Sequence, residues 1–144
     1  MKASAARDLD PIAIKHLEFL QVVINRLSQE MFVYKGWAVT LVAATFAVAA
    51  GSGNPLIVAI AMVPAFAFWG LGTMTLRDQR MYRAMYDAVR DGSADAFEGG
   101  PLSMDNDAYA EQIGPWWRGL FAASVALPYG LLVLLTWCVI AFSF

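Results

Sequence analysis

The sequence predicts an all-α integral membrane protein with three transmembrane helices, the first two extended into a cytoplasmic antiparallel helical hairpin. Three observations lead there. Of the 144 residues 59% are hydrophobic and only 15% are charged, with a mean hydropathy of +0.53, whereas a soluble domain carries about 25% charged residues. The stretches Gly36–Leu76 and Gly119–Phe144 hold no charge at all. All 10 Lys and Arg fall in two segments, Lys2 to Lys35 and Arg77 to Arg118.

The first helix is expected over residues 10–50, with Asp10 as N-cap and Pro11 at the first helical position. Its span covers 31–50, and Lys35 snorkels back to the interface. Ahead of the span, Ala13, Leu17, Leu20, Ile24, Leu27, Met31 and Tyr34 alternate in steps of four and three. This heptad seam runs on through Ala38, Leu41, Thr45 and Val48. One continuous helix would be roughly 60 Å long at 1.5 Å per residue, twice the hydrocarbon thickness, so half of it stands outside the bilayer.

Gly51-Ser52-Gly53-Asn54-Pro55 has the composition of a tight turn. The second helix follows over 55–91, with its span at 56–76. Beyond the span, Tyr82, Met85, Tyr86 and Val89 form one stripe, and Gly92 ends the helix. Two uses of these stripes stand open. They zip the two helices together within one chain, or the first seam also meets neighbouring subunits, helped by Ile12, Phe19, Val23 and Phe32.

Residues 92–115 carry Asp91, Asp95, Glu98, Asp105, Asp107 and Glu111 on or beside them, and no Lys or Arg. They read as an acidic connector with a short helix from about Ser103 or Met104 to Ile113. Asp105-Asn106-Asp107 resembles a calcium-loop fragment but lacks the third acidic ligand and the turn glycine. The third span occupies 116–144, opening on the interfacial Trp116, Trp117 and Arg118. The whole chain, 1–144, is one membrane domain.

The positive-inside rule puts the N-terminus and the 77–118 segment in the cytoplasm and the C-terminus outside. Residues 1–11 do not read as a cleavable signal peptide, so the first span is expected to act as an uncleaved one. Net charge is −2 and the pI about 5.2, with no basic excess for nucleic acid. Cys138 is the single cysteine, which excludes an internal disulfide, and it is expected to be a small buried residue.

Chemistry is sparse. His16 is the lone histidine, with no partner His or Cys in helical register, and is expected to be exposed or packed. Gly51-Ser52-Gly53 lacks the lysine of a phosphate loop. No enzyme signature, cofactor motif or metal set emerges, and beyond the interfacial Lys35 and Arg118 the spans hold no Asp, Glu, Lys, Arg or His, which argues against a pump or coupled carrier. They do hold packing and bending devices. Ala43, Ala47 and Gly51 recur at helical spacing for close approach, and Pro64 and Pro128 are expected to kink mid-span. Thr40, Thr45, Thr73, Thr75, Ser124, Tyr129 and Thr136 supply mild polarity that an oligomer would be able to turn into a pore lining.

Arg26 and Glu30 are spaced to pair along the helix, which makes a solvated face. Alternatively Arg26, with Lys35, Arg77, Arg80 and Arg83, rings the cytoplasmic mouth and recognises anionic lipid, a nucleotide signal or an acidic protein.

The run Ile24-Asn-Arg-Leu-Ser-Gln-Glu-Met-Phe-Val-Tyr-Lys-Gly-Trp37, then Leu76-Arg-Asp-Gln-Arg-Met-Tyr-Arg-Ala-Met-Tyr-Asp-Ala-Val-Arg90, resembles small bacterial multi-pass proteins of TIR-linked phage-defence loci. The resemblance covers about residues 17–90 and rests on Arg26, Lys35-Gly36-Trp37 and the Arg-rich exit helix. It implies an inner-membrane effector that oligomerises and compromises the bilayer when triggered. The first expectation is therefore a non-enzymatic, homo-oligomeric pore-forming or membrane-disrupting protein gated from the cytoplasm. The rival is an anchor or scaffold whose hairpin docks a soluble partner; a small carrier and an intramembrane enzyme rank below both.

Overall fold

The computed structural model describes residues 11–52, 54–93, 100 and 102–143. Asp10, the expected N-cap, lies outside the described residues, as do Lys2, Arg7, Gly53, Asp95, Glu98, Gly99 and Pro101. Among the described residues every regular element is helical. In order they are α1 (Pro11–Ser52), α2 (Pro55–Ile60), α3 (Met62–Asp91), a 3₁₀ turn (Asp107–Tyr109), α4 (Ala110–Ile113), a second 3₁₀ helix (Trp116–Phe121) and α5 (Ala123–Ser143). Three helical stretches, Pro11–Ser52, Leu56–Asp91 and Ala123–Ala141, are long and apolar enough to cross a membrane.

α1 is unbroken for 42 residues. Its hydroxyls do not interrupt it, because each bonds back into the helix: Ser28 to Ile24 O, Thr40 to Gly36 O and Thr45 to Leu41 O, at 2.8–2.9 Å. That bond satisfies the group without water or a second helix. The turn after α1 is built from side chains. Ser52 Oγ receives Asn54 N–H at 3.4 Å, and Asn54 Oδ1 receives Leu56 N–H at 3.0 Å, capping α2 with Pro55 in its first turn.

The second long segment is divided at Ala61, where the sequence led us to expect one helix bent at Pro64. Proline has no N–H to give the carbonyl four residues back, and its ring crowds that carbonyl. For Pro64 that carbonyl belongs to Ile60, the last residue of α2. The interruption therefore falls one turn before the proline. Pro128 lies inside α5 without dividing it, because α5 starts only at Ala123 and its lost bond falls in the first turn.

The third apolar stretch also starts differently from the expected 116–144. Trp116–Phe121 is a separate 3₁₀ helix, and Ala122 is extended (ψ 129°) before α5 begins. The acidic connector is more folded than its charge suggested. Ser103 Oγ and Asp105 Oδ1 each receive a backbone N–H two residues on, and these turns shorten the expected helix to Asp107–Ile113. Tyr109 is then buried on the paired long helices.

α1 and α3 run antiparallel, as three successive clusters show. At the charged end Ala13 and Leu20 meet Met81, Met85, Val89 and Tyr109. Further along, Ala38 and Leu76 meet Val125 and Tyr129 of α5. Near the turn, Val42 meets Ala61 and Ala65. The heptad seam holds its register from Ala13 to Ala38 and then slips: Leu41 and Val48 are exposed, while the next residues, Val42 and Ala49, are buried. A straight helix at 3.6 residues per turn drifts about 20° per heptad from a 3.5-residue repeat. Over four heptads that amounts to nearly one residue.

Candidate functional site

The predicted seam lies along the pairing of α1 with α3. Leu20 and Leu27 are buried, and Leu17, Ile24, Met31 and Tyr34 are half-buried along the same pairing with α3. Tyr34 stands against Phe68 with ring centroids 6.1 Å apart. Within one chain Leu20 and Leu27 serve the pairing with α3, while the half-buried Leu17, Ile24, Met31 and Tyr34 keep part of their surface outward. His16 belongs to the same buried face, at 0% exposure. Sequence reasoning missed the polar link in the middle of the pair. Gln79 donates from Nε2 to Ile24 O and to Ser28 Oγ, tying α3 to α1 across the interface.

The small-residue set behaves in the opposite way. Ala43, Ala47 and Gly51 are exposed, and a Cβ built at Gly51 or Gly36 meets nothing within 4 Å. They are not used for packing inside the chain. Cys138 is exposed on α5, which corrects the expectation that it is buried. The hydroxyls split. Thr73, Thr75, Thr136 and Tyr129 are buried within the subunit. Thr40 and Ser124 face outward, and Thr45 is half-buried. Within one chain, then, the seven do not share one outward surface.

The basic residues regroup. Arg26 pairs with Glu30 on its own helix at 3.5 Å, both largely solvated, so it contributes little to stability. Lys35 is half-buried, and Arg80 and Arg83 are exposed on α3. Arg77 turns away from α1: its Nε donates to Gly114 O at 3.3 Å. Gly114 has φ 79° and ψ −171°, a conformation open to glycine and strained for other residues. Arg118 converges on the same residue, its Nη1 3.5 Å from where a Gly114 Cβ would stand. Among the described residues neither arginine forms an ion pair. Asp78 lies close enough to Arg77 to feel its charge, yet burial outweighs that and raises its carboxyl above 3.8. By contrast, Arg90 at the far tip is held above its usual value by hydrogen bonding and charge from Asp91 and by Asp87.

An apolar groove of about 360 Å³ is lined by Phe66, Trp69, Gly70, Trp116, Leu120 and Phe121, on the same two elements, α3 and the 3₁₀ helix, that carry Arg77 and Arg118. Two contacts build it. Trp69 Nε1 donates to Leu120 O at 3.2 Å, and Gly119 packs so tightly that its Cβ would sit 2.8 Å from Thr73 Cγ2. Phe66 and Trp69 stack one turn apart, 6.1 Å between centroids. A second groove of about 490 Å³ lies at the charged end, between Ile14, Leu17, Glu18, Gln21, Val22 and Asn25 of α1 and Tyr86 of α3.

The fold defines the class: a multi-pass, all-helical membrane protein whose described charged residues gather at one end. No protein-family model matches the chain, and neither a curated protein nor a solved structure matches it.

Proposed function

We propose that this chain is a non-enzymatic, self-assembling protein of the bacterial inner membrane, with its N-terminus and charged half cytoplasmic and its C-terminus outside. Engagement of the cytoplasmic half by a protein or nucleotide signal drives an assembly that permeabilises the bilayer. The observation that carries this reading is the unfilled outer face of α1. Ile12, Ile14, Phe19 and Val22 are 43–66% exposed, although they precede the apolar span at Met31 by roughly 13–28 Å along the helix. Lipid tails do not reach them, and an apolar surface left to water marks an interaction site.

Within the bilayer the same face continues as Gly36, Thr40, Ala43, Ala47 and Gly51, all exposed. Small residues at that spacing let helices of different subunits approach closely. Only 11%, 28% and 17% of the residues in the most apolar stretch of each long helix are buried within one chain, which leaves most of the packing surface for neighbours. Permeation in this reading runs between subunits along that stripe, because the larger hydroxyl set is turned inward.

A second reading, a membrane anchor that docks a soluble protein, draws support from the groove between Ile14, Val22 and Tyr86. Two measurements separate them. Ile14→Cys or Val22→Cys, in a Cys138→Ser background, should give intersubunit cross-links in membranes, while the buried Leu20→Cys should give none. Induced expression with a membrane-potential dye should show depolarisation. Absence of both signals, with the neighbouring gene products present and stimulated, leaves the anchor.

A further inference from the structure

We propose that the groove between α3 and the 3₁₀ helix, with Arg77 and Arg118 on the same two elements, is a binding site for one anionic phospholipid, with the headgroup phosphate on the two guanidinium groups and an acyl chain along the aromatic wall. The inference rests on the multi-pass membrane fold and stands whether or not the protein assembles into a pore.

The geometry of α3 joins the two halves of the site. Phe66, Gly70 and Arg77 are separated by four and seven residues, which places them on one stripe of the helix. Gly70 then lies about 10 Å and Phe66 about 16 Å deeper than Arg77 at 1.5 Å per residue. That is the relation of an upper acyl chain to its own phosphate. From the other wall, Trp116, Leu120 and Phe121 face the groove while Arg118 leaves the same 3₁₀ helix toward Gly114. Tryptophan and arginine are the side chains that settle at the headgroup boundary.

Charge selects the occupant. Two guanidiniums converge on one residue and neither has a carboxylate in an ion pair among the described residues. Arginine forks match phosphate oxygens, and each charge-assisted hydrogen bond to phosphate is stronger than a neutral one. A zwitterionic lipid brings its own cation to the same place and loses part of that gain. The groove itself is almost wholly apolar, so a free phosphate fills only the upper part of the site. Gly70 supplies the floor: a Cβ built there meets nothing within 4 Å, so a larger side chain enters the groove without collision.

Native mass spectrometry of the delipidated, detergent-solubilised full-length protein tests this directly. With equal amounts of phosphatidylglycerol and phosphatidylcholine of the same chains, the phosphatidylglycerol adduct should exceed the other by about tenfold. The double variant Arg77→Gln/Arg118→Gln should bring the ratio near one, while Lys15→Gln/Arg90→Gln, the same charge change far from the groove, should leave it. Gly70→Leu, which favours the helix, should remove both adducts, and soluble glycerophosphoglycerol should not compete. Equal adducts on the unmodified protein would overturn the proposal, as would full retention by Gly70→Leu, or competition by the chain-free headgroup.

Discussion

Gly119 illustrates how a single residue sets this structure. A Cβ there would stand 2.8 Å from Thr73 Cγ2, and Thr73 is itself fully buried, so neither side has room to retreat. Gly119→Ala should lower the melting temperature of the solubilised protein, with a cost of about 1–3 kcal/mol from overpacking. Gly51→Ala makes the instructive comparison, because its added methyl enters open space on a helix. That variant should be neutral or more stable by up to about 1 kcal/mol. If both variants melt alike, the close contact of Trp116–Phe121 with α3 is not what holds the groove wall.

At the level of elements, prolines and small polar caps decide where helices stop. Asn54 caps α2 and Gly92 closes α3 at φ 72°, with Ser93 N–H reaching back to Ala88 O at 3.0 Å. Gly92 was readable from its residue type, as were the apolar lengths of the three long segments, while Asn54 was readable only as part of a turn. The gap at Ala61 was not placed by sequence, because a proline's effect falls on the carbonyl four residues earlier. Pro64→Ala supplies the missing donor and should join α2 to α3. Slower amide exchange between Ile60 and Ala65 would show it; unchanged exchange would mean that packing against Val42, not Pro64, breaks the helix. The 3₁₀ helix before α5 was equally hidden, since an uninterrupted apolar run gives no sign of the extended Ala122.

The behaviour of the molecule as a whole includes its response to pH, and Asp78 is the group to watch. Burial raises its carboxyl above 3.8, against the opposing pull of Arg77. The folded state therefore holds this proton more tightly than the unfolded chain. Its contribution to stability is complete below about pH 3.8 and is lost as pH rises through the folded value. At neutral pH the charged Asp78 is a standing cost, made modest by solvent screening. Asp78→Asn should raise the melting temperature at pH 7 and flatten its decline as pH rises above about 3.8; a lower melting temperature at pH 7 would mean that attraction to Arg77 dominates.

The candidate sites were legible in unequal measure. The stripe of Leu20 and Leu27 was visible as periodicity, but periodicity does not say whether the facing surface belongs to the same chain. The structure assigns it to α3. Arg77 was visible as one member of a basic run, yet its hydrogen-bond partner proved to be the carbonyl of Gly114, the residue that Arg118 also approaches. The one available signal was the shared stripe of Phe66, Gly70 and Arg77, together with Trp116 and Arg118 just before the third apolar run.

Sequence by itself determined that the chain is helical, crosses a membrane and keeps its charges at one end. Those properties follow from local composition, because a bilayer tests each segment for length and polarity separately. Tertiary structure alone decided which apolar residues are used up within the subunit and which are left outward. It also decided that Arg77 and Arg118 both reach Gly114. Such properties depend on how three helices rotate against one another, and that rotation is set by packing and by helical drift over many turns, not by any one segment.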